Sequence, residues 1–301
     1  MASCARSVEF ARTGGLGRLR RLNDHGDMTT TVGLSDAALL AYDAVGAGIP
    51  LLALHGAYSA RGEVRDFLDP MIDARPVRRL YIDLPGHGDS RPSSGIRQPD
   101  DVLDLVDLLL DKEAPTGRFL VLGHSFGGHF ARAIAARHPD RIAGIALICP
   151  ALAGEQRIPA PAVVRDDHVS TALDPDQRAE YEGYFVVRTV ETLERFRRAV
   201  VPVVGEVDEQ TLESAITAGP HTADPDTVAV DAPVLVISGR HDHWVGWERQ
   251  QRLGDRYPRA TVVTAGDAGH ALPHERPGLV AALLSDWLDE IGIPTAPARR
   301  Q

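Results

Sequence analysis

The chain has 301 residues, 44% of them hydrophobic and 25% charged, with a formal net charge of -10. That length and apolar content suffice for one domain with an insertion and a sizeable core, and the negative balance argues against nucleic acid or an anionic membrane surface as a partner. No window approaches the roughly 20 apolar residues of a membrane span, and Cys4 and Cys149, the two cysteines, suggest neither a disulfide nor a metal site, so a cytoplasmic setting is expected.

Residues 1–27 carry Arg6, Arg12, Arg18, Arg20 and Arg21 but no apolar stretch of secretory length. They read as a disordered extension ahead of Met28, not as a Sec signal. Strand-like runs then stand at Thr31 to Leu34 and Leu39 to Tyr42. Strand Pro50 to Leu54, helix Val64 to Asp73, strand Arg79 to Ile82, helix Asp101 to Leu110, strand Arg118 to Gly123, helix Phe126 to His138 and strand Ile142 to Ile148 alternate after them. Such alternation predicts an α/β fold, a mostly parallel central sheet flanked by helices on both faces.

The pattern changes after Cys149-Pro150. Residues 151–230 hold no convincing buried strand, but Asp174-Pro175-Asp176-Gln177 is a helix-capping start, and Thr189 to Val201 and Asp208 to Ala218 look helical. This stretch is expected to be an all-helical cap, with residues 28–150 and 231–293 forming the core and 294–301 a tail. It carries seven arginines against fifteen acidic residues, a net of -8, so most of the formal charge falls on it. Sheet strands resume at Pro233 to Ser238 and Ala260 to Ala265.

Gly123-His124-Ser125-Phe126-Gly127 reads G-x-S-x-G between a strand and a helix, the nucleophile elbow in which a serine sits on a strained turn. Partners in the order nucleophile, acid, histidine follow the later strands: Asp242 after Ser238 and His270 after Ala265. Asp267 and His274 are the rival acid and base. A serine hydroxyl is a poor nucleophile at neutral pH, so an imidazole must take its proton and a carboxylate must fix the ring. The oxyanion that forms needs preorganised donors. The backbone N–H groups of Phe126 and Ala57 are the first choices, with Tyr58 the alternative to Ala57.

On these residues, together with His55-Gly56, the run Asp83-Leu84-Pro85-Gly86-His87-Gly88-Asp89-Ser90, Gly239-x-x-Asp242 and Gly269-His270, the chain resembles the α/β-hydrolase fold family in its capped, esterase-like branch. The resemblance implies a serine hydrolase with Ser125, Asp242 and His270 as its triad. It also gives His55 and His87 structural roles in their turns. No cofactor and no metal are expected, and the partner is a small-molecule substrate; oligomeric state is left open. Tyr58, His124, Tyr184, Phe185 and Trp244 are the pocket candidates, while Tyr181, Tyr184, Phe185 and Phe196 face either the pocket or the cap's own core.

The expected reaction is cleavage of a small, largely apolar, neutral carboxylic ester or lactone through an acyl-enzyme. Alternatives are carbon–carbon (keto-dienoate) or amide hydrolysis on the same triad, and a hydrolase-fold receptor with little turnover. Ser125 at the elbow, where related epoxide hydrolases and dehalogenases carry a carboxylate, counts against those two activities.

Overall fold

The computed structural model describes residues 20–22, 28–35, 38–90, 93–154, 157–205, 207–217 and 224–295. In chain order the first half runs β1 (Arg20–Leu22), β2 (Met28–Ser35), β3 (Ala38–Val45), β4 (Ile49–Leu54), α1 (Arg61–Ile72), β5 (Val77–Asp83), α2 (Pro99–Glu113), β6 (Phe119–His124), α3 (Phe126–Arg137) and β7 (Ile142–Ile148). The chain then leaves the sheet through β8 (Arg165–Asp166), α4 (Pro175–Tyr184), β9 (Val187–Arg188), α5 (Val190–Arg195) and α6 (Glu209–Thr217). It returns with β10 (Val234–Gly239), α7 (Glu248–Gln251), α8 (Leu253–Arg256), β11 (Ala260–Ala265), α9 (Leu272–Glu275) and α10 (Pro277–Ile291).

Nine strands make one sheet in the order β1-β2-β3-β5-β4-β6-β7-β10-β11. The β1-β2, β2-β3 and β3-β5 pairs are antiparallel, and every pair from β5 through β4, β6, β7 and β10 to β11 is parallel. All residues of β6, β7 and β10 are buried, which requires cover on both faces. One face packs Leu103, Val106 and Leu110 of α2 and Phe130 and Ile134 of α3 against β4, β6 and β7. The other packs Val64, Phe67 and Leu68 of α1 with Val280, Leu284, Trp287 and Leu288 of α10. Each fully buried Leu, Val, Ile or Phe side chain contributes about 1.5–3 kcal/mol relative to exposure, so these two layers hold the strand ends rigid.

Three local features depart from the sequence reading. Within the expected extension 1–27, Arg20–Leu22 forms a backbone pairing with β2, Arg20 opposite Thr30 and Leu22 opposite Met28; the rest of that segment lies outside the described residues. The segment 151–230 is not all helix, because β8 and β9 pair in parallel as a two-residue ribbon. The helix expected over Thr189 to Val201 also changes character: α5 passes into a π-helical turn at Phe196–Val200. Leu173, Tyr181, Phe185, Leu193, Phe196 and Val200 of this segment pack with Ala271, which follows β11, into a third, small core. No helix among the described residues is long and apolar enough to cross a membrane.

Candidate active site

The carboxyl ends of β4, β6, β10 and β11 converge at one edge of the sheet, where open α/β sheets place their ligands. Ser125 stands between β6 and α3 with φ 52° and ψ -118°, a conformation that costs a non-glycine residue on the order of 1–3 kcal/mol. Four backbone bonds hold it there: its N–H donates to Ile148 O at 3.0 Å, and its carbonyl accepts from Gly128 N–H and Ala151 N–H at 2.9 Å each and from His129 N–H at 3.4 Å. The flanking glycines are steric necessities. A Cβ at Gly123 would overlap the Gly127 carbonyl, and one at Gly127 would overlap the backbone of Leu54 and His55. Because the obstacle is backbone, no rotamer change relieves it, and Gly123→Ala is expected to destabilise the fold by about 3 kcal/mol. A urea midpoint unchanged from the unsubstituted chain would show that the turn can relax.

Asp242 follows β10 and is fully buried, and its Oδ2 lies 2.8 Å from His270 Nδ1. Its Oδ1 accepts the Trp244 and Val245 N–H groups at 3.0 Å each. Burial alone would raise its pKa, but the His270 partner and those two amides hold it below the usual carboxylate range. An ionised Asp242 can only accept, so Nδ1 of His270 carries the proton and Nε2 keeps its lone pair. The rivals are engaged elsewhere. Asp267 is exposed and paired with Arg276, while His274 Nε2 lies 3.0 Å from Glu63 Oε1.

The His270 ring is walled by aromatic groups. Trp244 lies parallel to it at 5.6 Å with an interplanar angle of 3°, His124 lies tilted at 5.0 Å, and Tyr184 meets it edge-on at 6.1 Å. His124 Nε2 donates to the His270 carbonyl at 3.1 Å, and burial together with the nearby histidine lowers its pKa to about 4, so this imidazole is neutral. Phe126 N–H opens α3 and is one of the helix's donors without an intrahelical acceptor. Ala57 follows Gly56, where an added Cβ would stand 3.3 Å from both Ser125 Cβ and His124 Nδ1, so the loop after β4 runs directly beside the serine. Tyr58, with φ 59°, turns its half-exposed ring toward Glu209, 3.4 Å from its hydroxyl. Phe185, another pocket candidate, is fully buried in the small core with Tyr181 and Phe196.

The remaining motif residues brace these loops. His55 Nδ1 donates to Gly56 O at 2.6 Å and its Nε2 accepts from Leu84 N–H at 2.9 Å, tying the loop after β4 to the one after β5. Burial, aided by His87, lowers its pKa to about 3. Asp83 accepts the Arg61 and Asp89 amides at 2.7 and 2.9 Å and pairs with the Arg61 guanidinium, which occupies it as a brace.

Residues 50–277 match the family described as serine aminopeptidase S33, which is an α/β-hydrolase family. The chain belongs to it. Among relatives of this α/β-hydrolase, a pyrethroid hydrolase of Sphingobium wenxiniae is 27% identical over 249 residues, 79% of this chain and 87% of that one. A pimeloyl-[acyl-carrier protein] methyl ester esterase of Nitrosomonas europaea is 26% identical over 251 residues, 76% and 91% of the two chains. The crystal structure of an α/β superfamily hydrolase from Oenococcus oeni superposes with a TM-score of 0.78 at 23% identity, covering 84% of this chain and 96% of that one. This chain is accordingly an α/β-hydrolase related to esterases.

Two groups in this hydrolase escape the sequence reading, and a third stands beside Asp242 and His270. Glu63, near the start of α1, is 4% exposed and accepts from Ser59, Tyr184 and His274. Glu275, also buried, accepts three amides, those of Val186 and Val187 at 2.7 and 3.0 Å and that of Gly269 at 2.7 Å, joining the segment before β9 to the loop that carries His270. Neither has a motif spacing. The third is Cys149, one residue past β7 with φ 44°, which offers its sulfur within 4.8 Å of ligand atoms of Asp242 and His270. Among the described residues this is the one group of three with metal-ligating atoms so close. Burial and the Asp242 charge push the thiol well up, so it is protonated, while Asp242 and His270 already bind each other.

Proposed function

We propose that this α/β-hydrolase cleaves a small, largely apolar, neutral carboxylic ester or lactone through an acyl-enzyme. The observation that carries the reading is the 2.8 Å contact between Asp242 and His270 Nδ1 at the strand edge that presents Ser125 on its strained turn. In this mechanism His270 Nε2 removes the Ser125 proton as the hydroxyl attacks the carbonyl carbon, and Asp242 stabilises the imidazolium that results. The Phe126 and Ala57 amides hold the oxyanion of the tetrahedral intermediate. The imidazolium then returns its proton to the departing alcohol, or to the ring oxygen of a lactone, leaving an acyl group on Ser125. Water, deprotonated by the same imidazole, reverses the sequence and releases the acid.

Residues 151–230 act in this reading as a cap over the strand ends, supported by the contacts of Tyr184 with His270 and of Gly183 O with the Trp244 Nε1–H at 2.9 Å. Ester cleavage is also supported by the likeness to a methyl ester esterase. The family description favours a second reading, amide hydrolysis by the same acyl transfer. A plate of p-nitrophenyl esters of graded chain length beside lactones, amides and a keto-dienoate decides between them: turnover of amides with esters left intact would replace the ester reading.

Charge sharpens the substrate class. The segment 151–230 has a net of -8 from seven arginines and fifteen acids, and Arg165 and Arg188 are paired with Asp167 and with Asp166 and Glu182. A negative rim slows the entry of anions. A neutral ester is therefore expected to show a higher kcat/KM than its analogue with a terminal carboxylate, and added salt should narrow the gap. Preference for the carboxylate analogue at low salt would reverse this assignment.

A further inference from the structure

Glu63 is a charge in a place where an unpaired charge would be strongly destabilising. Its side chain is 5% exposed, yet three side chains aim donors at it. Oε1 accepts from the Tyr184 hydroxyl at 3.0 Å and from His274 Nε2 at 3.0 Å, and Oε2 accepts from the Ser59 hydroxyl. Burial alone would raise its pKa, but His274, His124 and Ser59 bring it down to about 2, so the carboxylate is ionised at neutral pH. Burial beside this charge pushes the Tyr184 phenol well up, which keeps it a donor.

The three donors belong to three separate stretches of chain, and each borders the candidate site. Ser59 stands two residues beyond Ala57, His274 four beyond His270, and Tyr184 closes α4. Tyr184 touches both His270 and Trp244, at ring separations of 6.1 and 5.9 Å. Trp244 in turn donates its Nε1–H to the carbonyl of Gly183, next to Tyr184. Two of the walls around the His270 ring are thus fixed through one end of one helix, and Glu63 holds that end to the core. Glu275 makes a useful contrast, since it accepts only backbone amides and touches none of the rings around His270 by hydrogen bond.

The geometry points to Glu63 as a positioning residue for His270: acting through Tyr184 and His274, its carboxylate locks the loop after β4, the end of α4 and the loop after β11 into the arrangement in which the imidazole serves Ser125. The inference rests on the hydrolase reading above. Glu63 itself does not touch the reacting atoms, so its effect is on the fraction of molecules with the imidazole correctly placed. A small displacement of an aligned group costs rate far more than it costs stability.

The test uses the rate at which a fluorophosphonate labels Ser125, which needs no knowledge of the substrate, with melting temperature measured in parallel. Tyr184→Phe removes one hydroxyl and leaves the ring; Glu63→Gln keeps the shape and removes the charge. Each is expected to slow labelling about tenfold, and the double variant to be no slower than the slower single, because both changes break the same contact. Tyr184→Phe should melt within a few degrees of the unsubstituted protein, and if Glu63→Gln does not fold, Tyr184→Phe alone decides. Full-rate labelling of both singles, a loss of melting temperature without loss of rate, or independent effects that multiply in the double would overturn the positioning role. An unsubstituted protein that is not labelled at Ser125 would overturn the nucleophile assignment instead, and the positioning role with it.

Discussion

Ser125→Ala is expected to lower ester turnover by on the order of 10⁴-fold or more and to abolish fluorophosphonate labelling. The substitution deletes the attacking oxygen and nothing else of consequence. Alanine tolerates the turn no worse than serine does, the four backbone bonds that hold residue 125 do not involve the hydroxyl, and no helix cap is lost, because Ser125 makes no side-chain capping bond to α3. The Phe126 and Ala57 amides would remain, so a residual rate above the uncatalysed reaction is expected from oxyanion stabilisation and binding alone. Melting temperature should hold steady. Labelling at another serine, or full turnover in the alanine variant, would remove Ser125 from the mechanism.

Asp242→Asn is expected to reduce kcat by about 10³- to 10⁴-fold with KM little changed, and the hydrogen bonds around residue 242 say why. Oδ1 accepts from Trp244 N–H and Val245 N–H, both at 3.0 Å. Asparagine would satisfy them only by keeping its carbonyl oxygen in that place, which turns the amide NH₂ toward His270 Nδ1. A donor there demands that Nδ1 accept, so the ring proton moves to Nε2, the atom that must take the proton from Ser125. The base is then blocked by its own tautomer. Asp267→Asn should be mild by comparison, because Asp267 is exposed and pairs with Arg276. Equal kinetic losses in the two variants, or a larger one at position 267, would reassign the acid.

Much of the sheet was legible because its signals are local. Buried parallel strands are uninterrupted apolar runs, such as Ile142 to Ile148, and the elbow has a fixed spacing with steric reasons for both glycines. Chain order then pointed to Asp242 and His270. The pieces that escaped depend on distant contacts. Arg20–Leu22 carries no apolar alternation, and it joins β2 as a backbone pairing. The π-helical turn at Phe196–Val200 has no composition of its own to mark it. Glu63 reads as one more charge on an amphipathic helix, and only the fold brings Tyr184, 121 residues away, and His274, 211 residues away, onto it. By contrast the signals of α10 are local: Pro277 opens it, and Val280, Leu284, Trp287 and Leu288 form its buried stripe.

The stacking of Trp244 on His270 gives this protein an optical property. The indole lies parallel to the imidazole at 5.6 Å while its residue remains 47% exposed, so one aromatic ring looks onto the base from inside and onto solvent from outside. An indole face attracts a cation, and a protonated imidazole in contact with indole quenches its emission. Trp244 fluorescence is therefore expected to change when a covalent inhibitor settles beside the ring. With only Trp247 and Trp287 contributing elsewhere in the chain, occupancy of the site can be followed by light with no chromogenic substrate at all.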